Sequence, residues 1–600
     1  MRIPIDLPPG LIGDDTSYAA SGRWADGSNV RFRLGRPQVI GGWESLTTTL
    51  LTGVCRNAFP WTDNNAILNI AFGTHSNLQV FDDGTLYDIT PTLWRPSVTL
   101  ANNPLSVTNA SPTVTVTENG HGHTVGESVI ISGATAVGGI APNGTFTVAS
   151  VIDVNTWTYT FTSNATGTAT GGGSAVVAAS QTPFVQGQID GTGGQGYGTG
   201  AYGVGGWSQP STADYFPRTW SFGAWGQNLL ANPRGGPIYA WTNNTGTPAQ
   251  PLANSPRQVQ HMVVAPTNGA YQAFALGCNE ELSGVFNPMC VRHCSITIDT
   301  EWNTAPSTTA AEYVLPGGGR IVAGRMIGPY LAVWTSDALW IAEFIGDPSE
   351  PWQFTRVGKN CGLSGPNAVV VFGQGAYWLT PDRQFYRYGL GTSPQVIDCP
   401  IRDDFAQNIS PSQTDKIIAS SNTEYGEIRF DYPDVRDGSG TENSRYVALD
   451  VTGEGAGTWY KGEMARTAMV DAAPSQYPIG VTSAGNVYYH ERGHSADGGQ
   501  ISWFVRTADL YLDENIVMEA AGIWPDFIDQ QGPVNVEATS RFYLQDDEVS
   551  TGPIPMGMGQ QKVDFRLSGR LFRFKFSGSS SPAQMRLGKF DVEVRKAGQR

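Results

Sequence analysis

Two consecutive stretches of this chain share one grammar, and that grammar limits the fold more than any other feature. The first reads Arg320-Ile-Val-Ala-Gly-Arg-Met-Ile-Gly-Pro-Tyr-Leu-Ala-Val-Trp-Thr-Ser-Asp-Ala-Leu-Trp-Ile-Ala-Glu-Phe344. The second reads Gly362-Leu-Ser-Gly-Pro-Asn-Ala-Val-Val-Val-Phe-Gly-Gln-Gly-Ala-Tyr-Trp-Leu-Thr-Pro-Asp-Arg-Gln-Phe-Tyr-Arg-Tyr-Gly389. Each runs from an apolar strand through a glycine turn to a strand ending in aromatics. A polar turn and an aromatic-rich strand follow. Short β-branched and aromatic runs bounded by Gly, Pro, Asp and Ser are hairpin signals. Leu331–Trp334 therefore pairs with Leu339–Phe344, and Ala376–Leu379 with Gln384–Tyr388. Tandem units of about 40 residues predict four-stranded propeller blades, with an antiparallel sandwich as the plainer alternative.

The same pattern extends along the chain. Ala66–Phe72, Leu78–Phe81 and Leu86–Ile89 form one unit, and Arg218–Asn232 with Pro237–Trp241 another. Later units cover Val259–Ser295 and Thr414–Tyr460, and Pro478–His490 continues the series. The fold class expected is all-β, a propeller of six or seven blades with an inserted small β-barrel or sandwich and a C-terminal β-rich domain. The divisions expected are N-terminal attachment strands (1–52), a first propeller segment (53–95), the inserted domain (96–183), a Gly/Tyr-rich linker (184–217), the main propeller (218–503) and a basic docking domain (504–600). Six hundred residues are too many for one core.

The inserted segment stands apart by composition. From 96 to 217 there is no Lys or Arg, and Thr, Ser, Gly, Ala and Val dominate. The glycine-rich strip after it contains a formal G-x-G-x-x-G (Gly191, Gly193, Gly196). It lacks the strand before and helix after that nucleotide binding needs, so it reads as a loop anchored by Tyr197, Tyr202 and Trp207.

Net charge is −16, but residues 562–600 carry +7, leaving −23 for the rest. Overall acidity argues against a protein that grips nucleic acid by neutralising phosphates. Alternation in Leu571-Phe-Arg-Phe-Lys-Phe576 and Phe590-Asp-Val-Glu-Val-Arg595 marks half-buried strands with charged outer faces. Arg566, Arg570, Arg573, Lys575, Arg586, Lys589, Arg595 and Lys596 are the candidate docking surface, for an acidic neighbour or for DNA.

Several motifs imitate chemistry without its context. His490-Glu491-Arg492-Gly493-His494 matches the zinc-protease pattern but sits at a strand end, where the two His would not share a helix face. Cys278, Cys290, His293 and Cys294 could imitate a zinc site, yet His293 and Cys294 are strand neighbours facing opposite sides. His121-Gly-His123 reads as a surface turn. Asp403, Asp404, Glu424 and Glu427 give a glycosidase pair little weight. The six cysteines follow no disulfide spacing and read as reduced thiols. No stretch approaches the ~18 apolar residues of a membrane helix, and no signal peptide is visible. The expectation is a protein with no catalytic, metal or cofactor site, made in a cytoplasm.

The chain resembles the tail nozzle (packaged-DNA stabilisation, or tail tube) proteins of short-tailed bacteriophages. The residues that carry this are Ser28-Asn-Val-Arg-Phe-Arg-Leu-Gly-Arg-Pro37, Gly41-Gly-Trp43, Leu86-Tyr-Asp-Ile-Thr90 and Trp220-Ser-Phe-Gly-Ala-Trp-Gly226. Leu331-Ala-Val-Trp-Thr-Ser-Asp-Ala-Leu-Trp340 and Gly362-Leu-Ser-Gly-Pro-Asn-Ala368 add to them. Gly120-His-Gly-His123 and Asn143-Gly-Thr-Phe-Thr-Val148 are similar to small β modules of phage tail proteins. The resemblance implies a homohexameric ring, or another ring matching the tail's symmetry, below the portal and adaptor. Such a ring retains packaged DNA, conducts it without adhesion during ejection, and neighbours tail fibre or spike proteins in the virion tail. It also implies a protein that is not an enzyme. The rival expectations are a receptor- or glycan-binding propeller of the tail, and a secreted glycosidase or protease dependent on Glu491 or Asp403.

Overall fold

The computed structural model describes the chain except residues 92, 95–96, 124, 183, 192–215, 268, 318, 348–349, 454–455, 513–515 and 599–600. The chain is all-β, with one short α-helix (Arg402–Asn408) and one 3-10 helix (Pro411–Lys416) among the described residues. It divides into two compact units, one of Met1–Asp88, Gly187–Asn243 and Leu252–Arg600, the other of Ile89–Gln186 with Asn244–Pro251.

Seven four-stranded antiparallel sheets dominate the described chain, with their first strands all in the larger unit. Their first strands are Cys55–Thr62, Trp220–Trp225, Val259–Thr267, Ile321–Ile327, Val369–Phe372, Ile418–Asn422 and Ala468–Val470. Each packs against the next in this order, and the last packs against the first. The expected all-β, multi-sheet fold is thus present, and the closed cycle of four-stranded sheets is propeller-like. Chain closure is non-local. The fourth strand of the last sheet is Trp43–Ser45, paired with Tyr488–His490 across most of the sequence.

Local chemistry explains the repeated hairpins. At the end of the second strand in four sheets sits a threonine whose hydroxyl accepts a backbone N–H across the turn. The bonds are Asn77 N to Thr74 at 2.7 Å, Ala338 N to Thr335 at 2.9 Å, Gln384 N to Thr380 at 3.1 Å and Asn486 N to Thr482 at 3.1 Å. This is the turn chemistry that short hydroxyl side chains supply. The polar turns Thr335-Ser-Asp337 and Thr380-Pro-Asp382 are two instances of it. The expected hairpins form, with Trp334 opposite Leu339 and Leu379 opposite Phe385. Neighbouring sheets approach closely where a side chain is missing. A Cβ on Gly73 would lie 2.3 Å from the Trp220 ring, and one on Gly223 would lie 2.4 Å from Val264.

The N-terminal strands and the C-terminal region form one domain, not two. One sheet contains Arg2–Ile5, Val30–Arg33, Arg36–Val39, Gln584–Gly598, Val517–Gln531 and Val563–Gly569. The other contains Trp24–Ser28, Ile501–Thr507, Leu571–Ser580, Val534–Arg541, Val549–Met556 and Leu510–Tyr511. Strict alternation, as in Val534, Val536 and Ala538 facing inward, buries one face of each sheet. Phe590 from one sheet meets Phe574 and Phe576 from the other at 5.6 and 5.3 Å. The attachment piece expected at 1–52 is thus distributed, its first strands to this sandwich and Trp43–Ser45 to a propeller sheet. Pairing partners several hundred residues away decide this, which no local pattern encodes. The sandwich joins the outer strand of one propeller sheet, where Leu11 N donates to Trp459 O and Asn29 N to Lys461 O.

The smaller unit is one nine-stranded sheet system. The long strand Gly144–Asp153 pairs with Ser128–Ser132 at its start and Thr156–Thr160 at its end. Leu105, Val114, Val116, Val129, Trp157 and Tyr159 fill its core.

Candidate functional site

All seven first strands line one cavity of about 490 Å³, within the range of small-ligand sites. Its walls differ along the strands. Asn57, Ser221 and His261 sit toward the starts of their strands and Asn367 just before its own, Arg325 is the fifth residue of Ile321–Ile327, and Phe59, Phe222, Val264 and Val371 lie further along. Phe59 and Phe222 stack at 6.3 Å. At the starts, Asn57 donates to Trp220 O at 2.9 Å and Met262 N donates to the Ser221 hydroxyl at 2.9 Å. Asn367 donates to Arg56 O at 2.9 Å. Their strands are not neighbours in the cycle, so this bond crosses the ring.

Arg325 is the one charge in the otherwise apolar run Ile321–Ile327. Its Nη1 donates to His261 Nε2 at 2.7 Å and to Gly324 O at 2.8 Å, and its Nη2 to Pro366 O at 3.0 Å. Burial lowers the Arg325 pKa to about 10. His261 is held well below the ordinary imidazole range by burial first and by Arg325 second. It is therefore neutral and accepts the Arg325 proton.

A strap and an ion network tie together segments that precede or begin several of these strands. Gly187 N donates to His75 O, and Gly191 exchanges two bonds of 3.0 Å with the Gln413 side chain. Lys416 bridges Asp190 at 2.6 Å and Glu442 at 3.0 Å. Glu442 also receives both Arg56 Nη groups, at 2.5 and 2.7 Å. Burial pushes the Glu442 carboxyl up, but Arg56 and Lys416 more than offset it and hold it below the usual range. Sequence reasoning missed these residues. The available signal was a lone arginine in an apolar strand; Lys416, Glu442 and Asp190 lie too far apart in sequence to suggest a group.

The eight basic residues proposed for docking divide between the outer faces of the two sandwich sheets. Arg566, Arg586 and Arg595 belong to one sheet, Arg573 and Lys575 to the other. Several already have partners. Arg573 meets Asp509 at 2.7 Å and Glu548 at 2.5 Å, Lys589 meets Asp6 at 2.6 Å, and Lys575 lies 3.9 Å from Glu537. Arg570 lies over the Tyr543 ring at 5.2 Å, and Arg595 and Lys596 are exposed near the strand end.

The motif residues have other roles. His490 is buried, stacks on Trp43 at 5.6 Å and accepts from Arg466 Nε at 2.9 Å. Glu491 takes both Nη groups of Arg31 at 2.9 and 2.5 Å, and the Glu427 carboxylate lies 2.9 Å from its Nε as an ion pair. This buried triad ties strand Val30–Arg33 to the propeller. Asp404 is held by Arg436 at 2.7 Å and Lys461 at 3.1 Å, while Asp403 and Glu424 are exposed. Cys278 and Cys290 face each other at 3.7 Å on paired strands. His293 points into the core and bonds the Gln272 side chain. No group of three or more potential metal ligands occurs among the described residues.

His121 and His123 are not on a surface turn. Both are buried, and His123 lies between Glu118 at 3.0 Å and Glu127 at 3.2 Å. Trp157 also donates to Glu118 at 3.0 Å, so the core indole draws the loop inward. Of the G-x-G-x-x-G, Gly193 and Gly196 lie outside the described residues, as do Tyr197, Tyr202 and Trp207. No described helix is long and apolar enough to cross a membrane.

No protein-family profile matches the sequence, and neither does any curated protein. Similar solved structures include the phage phi92 endosialidase (13% identity, 66% of this chain, TM-score 0.17). The chain spans about half of that protein, 52% of its length. A computationally designed protein, Ika8, is 11% identical over 75% of this chain and all of its own, at TM-score 0.32. The Phanerochaete chrysosporium exo-β-1,3-galactanase is 10% identical over 62% of this chain and 95% of its own, at TM-score 0.23. At these values the likenesses carry no functional argument. Two of the three are enzymes by name, so the expectation that this chain is not an enzyme is not kept. That exclusion rested on missing sequence signatures, and propeller-like sheets place site residues on separate strands where no short signature forms.

Proposed function

We propose that the chain is a subunit of the tail nozzle or tube of a short-tailed phage. In this reading it forms a ring below the portal and adaptor that retains packaged DNA and conducts it during ejection. The observation that supports this is the charge partition. Residues 562–600, at +7, contribute strands to both sheets of the sandwich, while the remainder of the chain carries −23. A basic end suits docking on an acidic neighbour, and an acidic remainder suits a wall that repels phosphates. A duplex, whose major groove alone is about 12 Å wide, does not fit the 490 Å³ cavity of one propeller. The conduit in this reading lies between copies.

Native mass spectrometry and negative-stain imaging of the chain, alone and with a portal–adaptor assembly, test it. A ring with a central hole is the expected result; a monomer that never joins those partners sinks the reading. Removing 562–600 is a poor probe of docking, because Leu571–Ser580 and Gln584–Gly598 lie in the middle of the sheets. Reversing Arg566, Arg586 and Arg595 to Glu leaves both cores intact and is expected to weaken docking.

A second reading is favoured by the stacked Phe59–Phe222 pair in the cavity wall, namely a receptor- or glycan-binding propeller of the tail. Glycan capture by the isolated chain, lost on Phe222→Ala, is its expected signature.

A further inference from the structure

We infer that the central cavity of the seven-sheet ring is a binding site for a small oxyanion, a carboxylate or phosphate group, held by Arg325. Three observations converge. Arg325 lines the cavity, and its guanidinium has no carboxylate partner among the described residues. Its protein acceptors are two carbonyl oxygens and a neutral imidazole. These fix the orientation of the group without neutralising it. A guanidinium has five N–H donors, so Nε–H and one Nη2–H remain without a protein acceptor among the described residues. Those are donors of the kind that pair with a planar or tetrahedral oxyanion.

The surroundings supply no competing anion. Asp471 is the only carboxylate in the cavity wall among the described residues. It stands at the end of its strand, and Ser421 and Thr423 hydroxyls bind it at 2.6 Å each, with Ala472 N at 2.7 Å. The ion network is closed on itself through Lys416, Arg56, Glu442 and Asp190. Arg325 is half-buried; a charge partly withdrawn from water without a counter-ion is costly, and the cavity has the volume to admit the missing partner. This makes an otherwise acidic chain locally attractive to an anion. The inference does not rest on the ring reading, because it concerns the inside of one subunit.

The test is thermal unfolding and titration calorimetry of the full chain with inorganic phosphate and, separately, with acetate, at ionic strength matched with chloride. A ligand that binds only the folded state raises the midpoint with its concentration. The expected result is a rise with at least one of the two, with affinity lowered about tenfold or more in Arg325→Gln, as loss of a charged hydrogen bond implies. Met469→Trp narrows the cavity from the Ala468–Val470 strand, three sheets away from that of Arg325 in the cycle, and is expected to abolish the rise as well. It keeps the test decisive should Arg325→Gln fail to fold. No rise with either anion, or a rise retained in full by the variants, overturns the inference. Ring formation is read separately by native mass, so failure of one idea leaves the other standing.

Discussion

Buried histidines in the two units answer to opposite partners. In the propeller, His261 lies against Arg325 and His490 against Arg466, and burial together with those cations holds both well below the ordinary range. In the smaller unit, His123 is caught between Glu118 and Glu127. Burial opposes its charge, but the two carboxylates more than offset that and raise its pKa. Composition explains the contrast. With no Lys or Arg from 96 to 186, a buried carboxylate there has only histidine to balance it. The propeller has arginine, so its histidines become acceptors. One residue type is thus pushed in opposite directions, set by which cations its segment supplies.

The largest expected effect breaks the propeller's side of the comparison. Arg31→Met leaves Glu427 and Glu491 buried without their cation, which costs about 3–5 kcal/mol. Chemical denaturation should show that loss, and hydrogen exchange in residues 105–182 should stay unchanged. Equal loss of protection there would mean that the two units do not keep separate ion balances.

Glu118→Gln sharpens the other side. It keeps an acceptor for Trp157 but removes one of the two charges facing His123, at about 1–3 kcal/mol. The readouts are exchange within the smaller unit and the His123 titration by NMR, whose midpoint should fall toward the ordinary value of 6.5. An unmoved midpoint would place the control of His123 elsewhere.

Acid should then separate the units by sign. His261 and His490 have lowered pKa values, so their contribution is complete above pH 6.5 and declines as the pH falls. His293, lowered to about 4, adds a loss between pH 6.5 and about 4. His123 is raised, so its contribution is complete below pH 6.5 and is lost as the pH climbs through its folded value. Segment-resolved exchange at pH 5.5 and 8, corrected for intrinsic rates, should show protection moving in opposite directions. Parallel movement would break the comparison. The smallest effect is a control at the surface. Lys589→Ala removes the exposed pair with Asp6 and should change stability by less than about 0.5 kcal/mol.

What could be read from sequence followed what is local. The Thr335 and Thr380 turns and the Trp334 and Trp378 strands lie within a few residues of their partners, and the basic alternation of Leu571–Ser580 is a period contained in one strand. Trp43–Ser45 was invisible as a propeller strand because three residues carry no periodicity and their partners are at 488–490. The His121-Gly-His123 loop looked exposed because its glycine and polar neighbours resemble a turn; Trp157, which draws it inward, is more than thirty residues away. The cavity was missed for a related reason. Each of its seven walls contributes only a few side chains, and among those described only Arg325 is a charge set in an otherwise apolar strand.

The pairing of Trp43–Ser45 with Tyr488–His490 also sets a timetable. At about 5–20 residues per second of synthesis, the early strand waits roughly 20–90 s for its partner to leave the ribosome. Throughout that interval the first sheets stand as an open arc with unpaired edges, the state in which strands recruit foreign chains. A nascent chain of this kind has most need of protection before its last hundred residues exist.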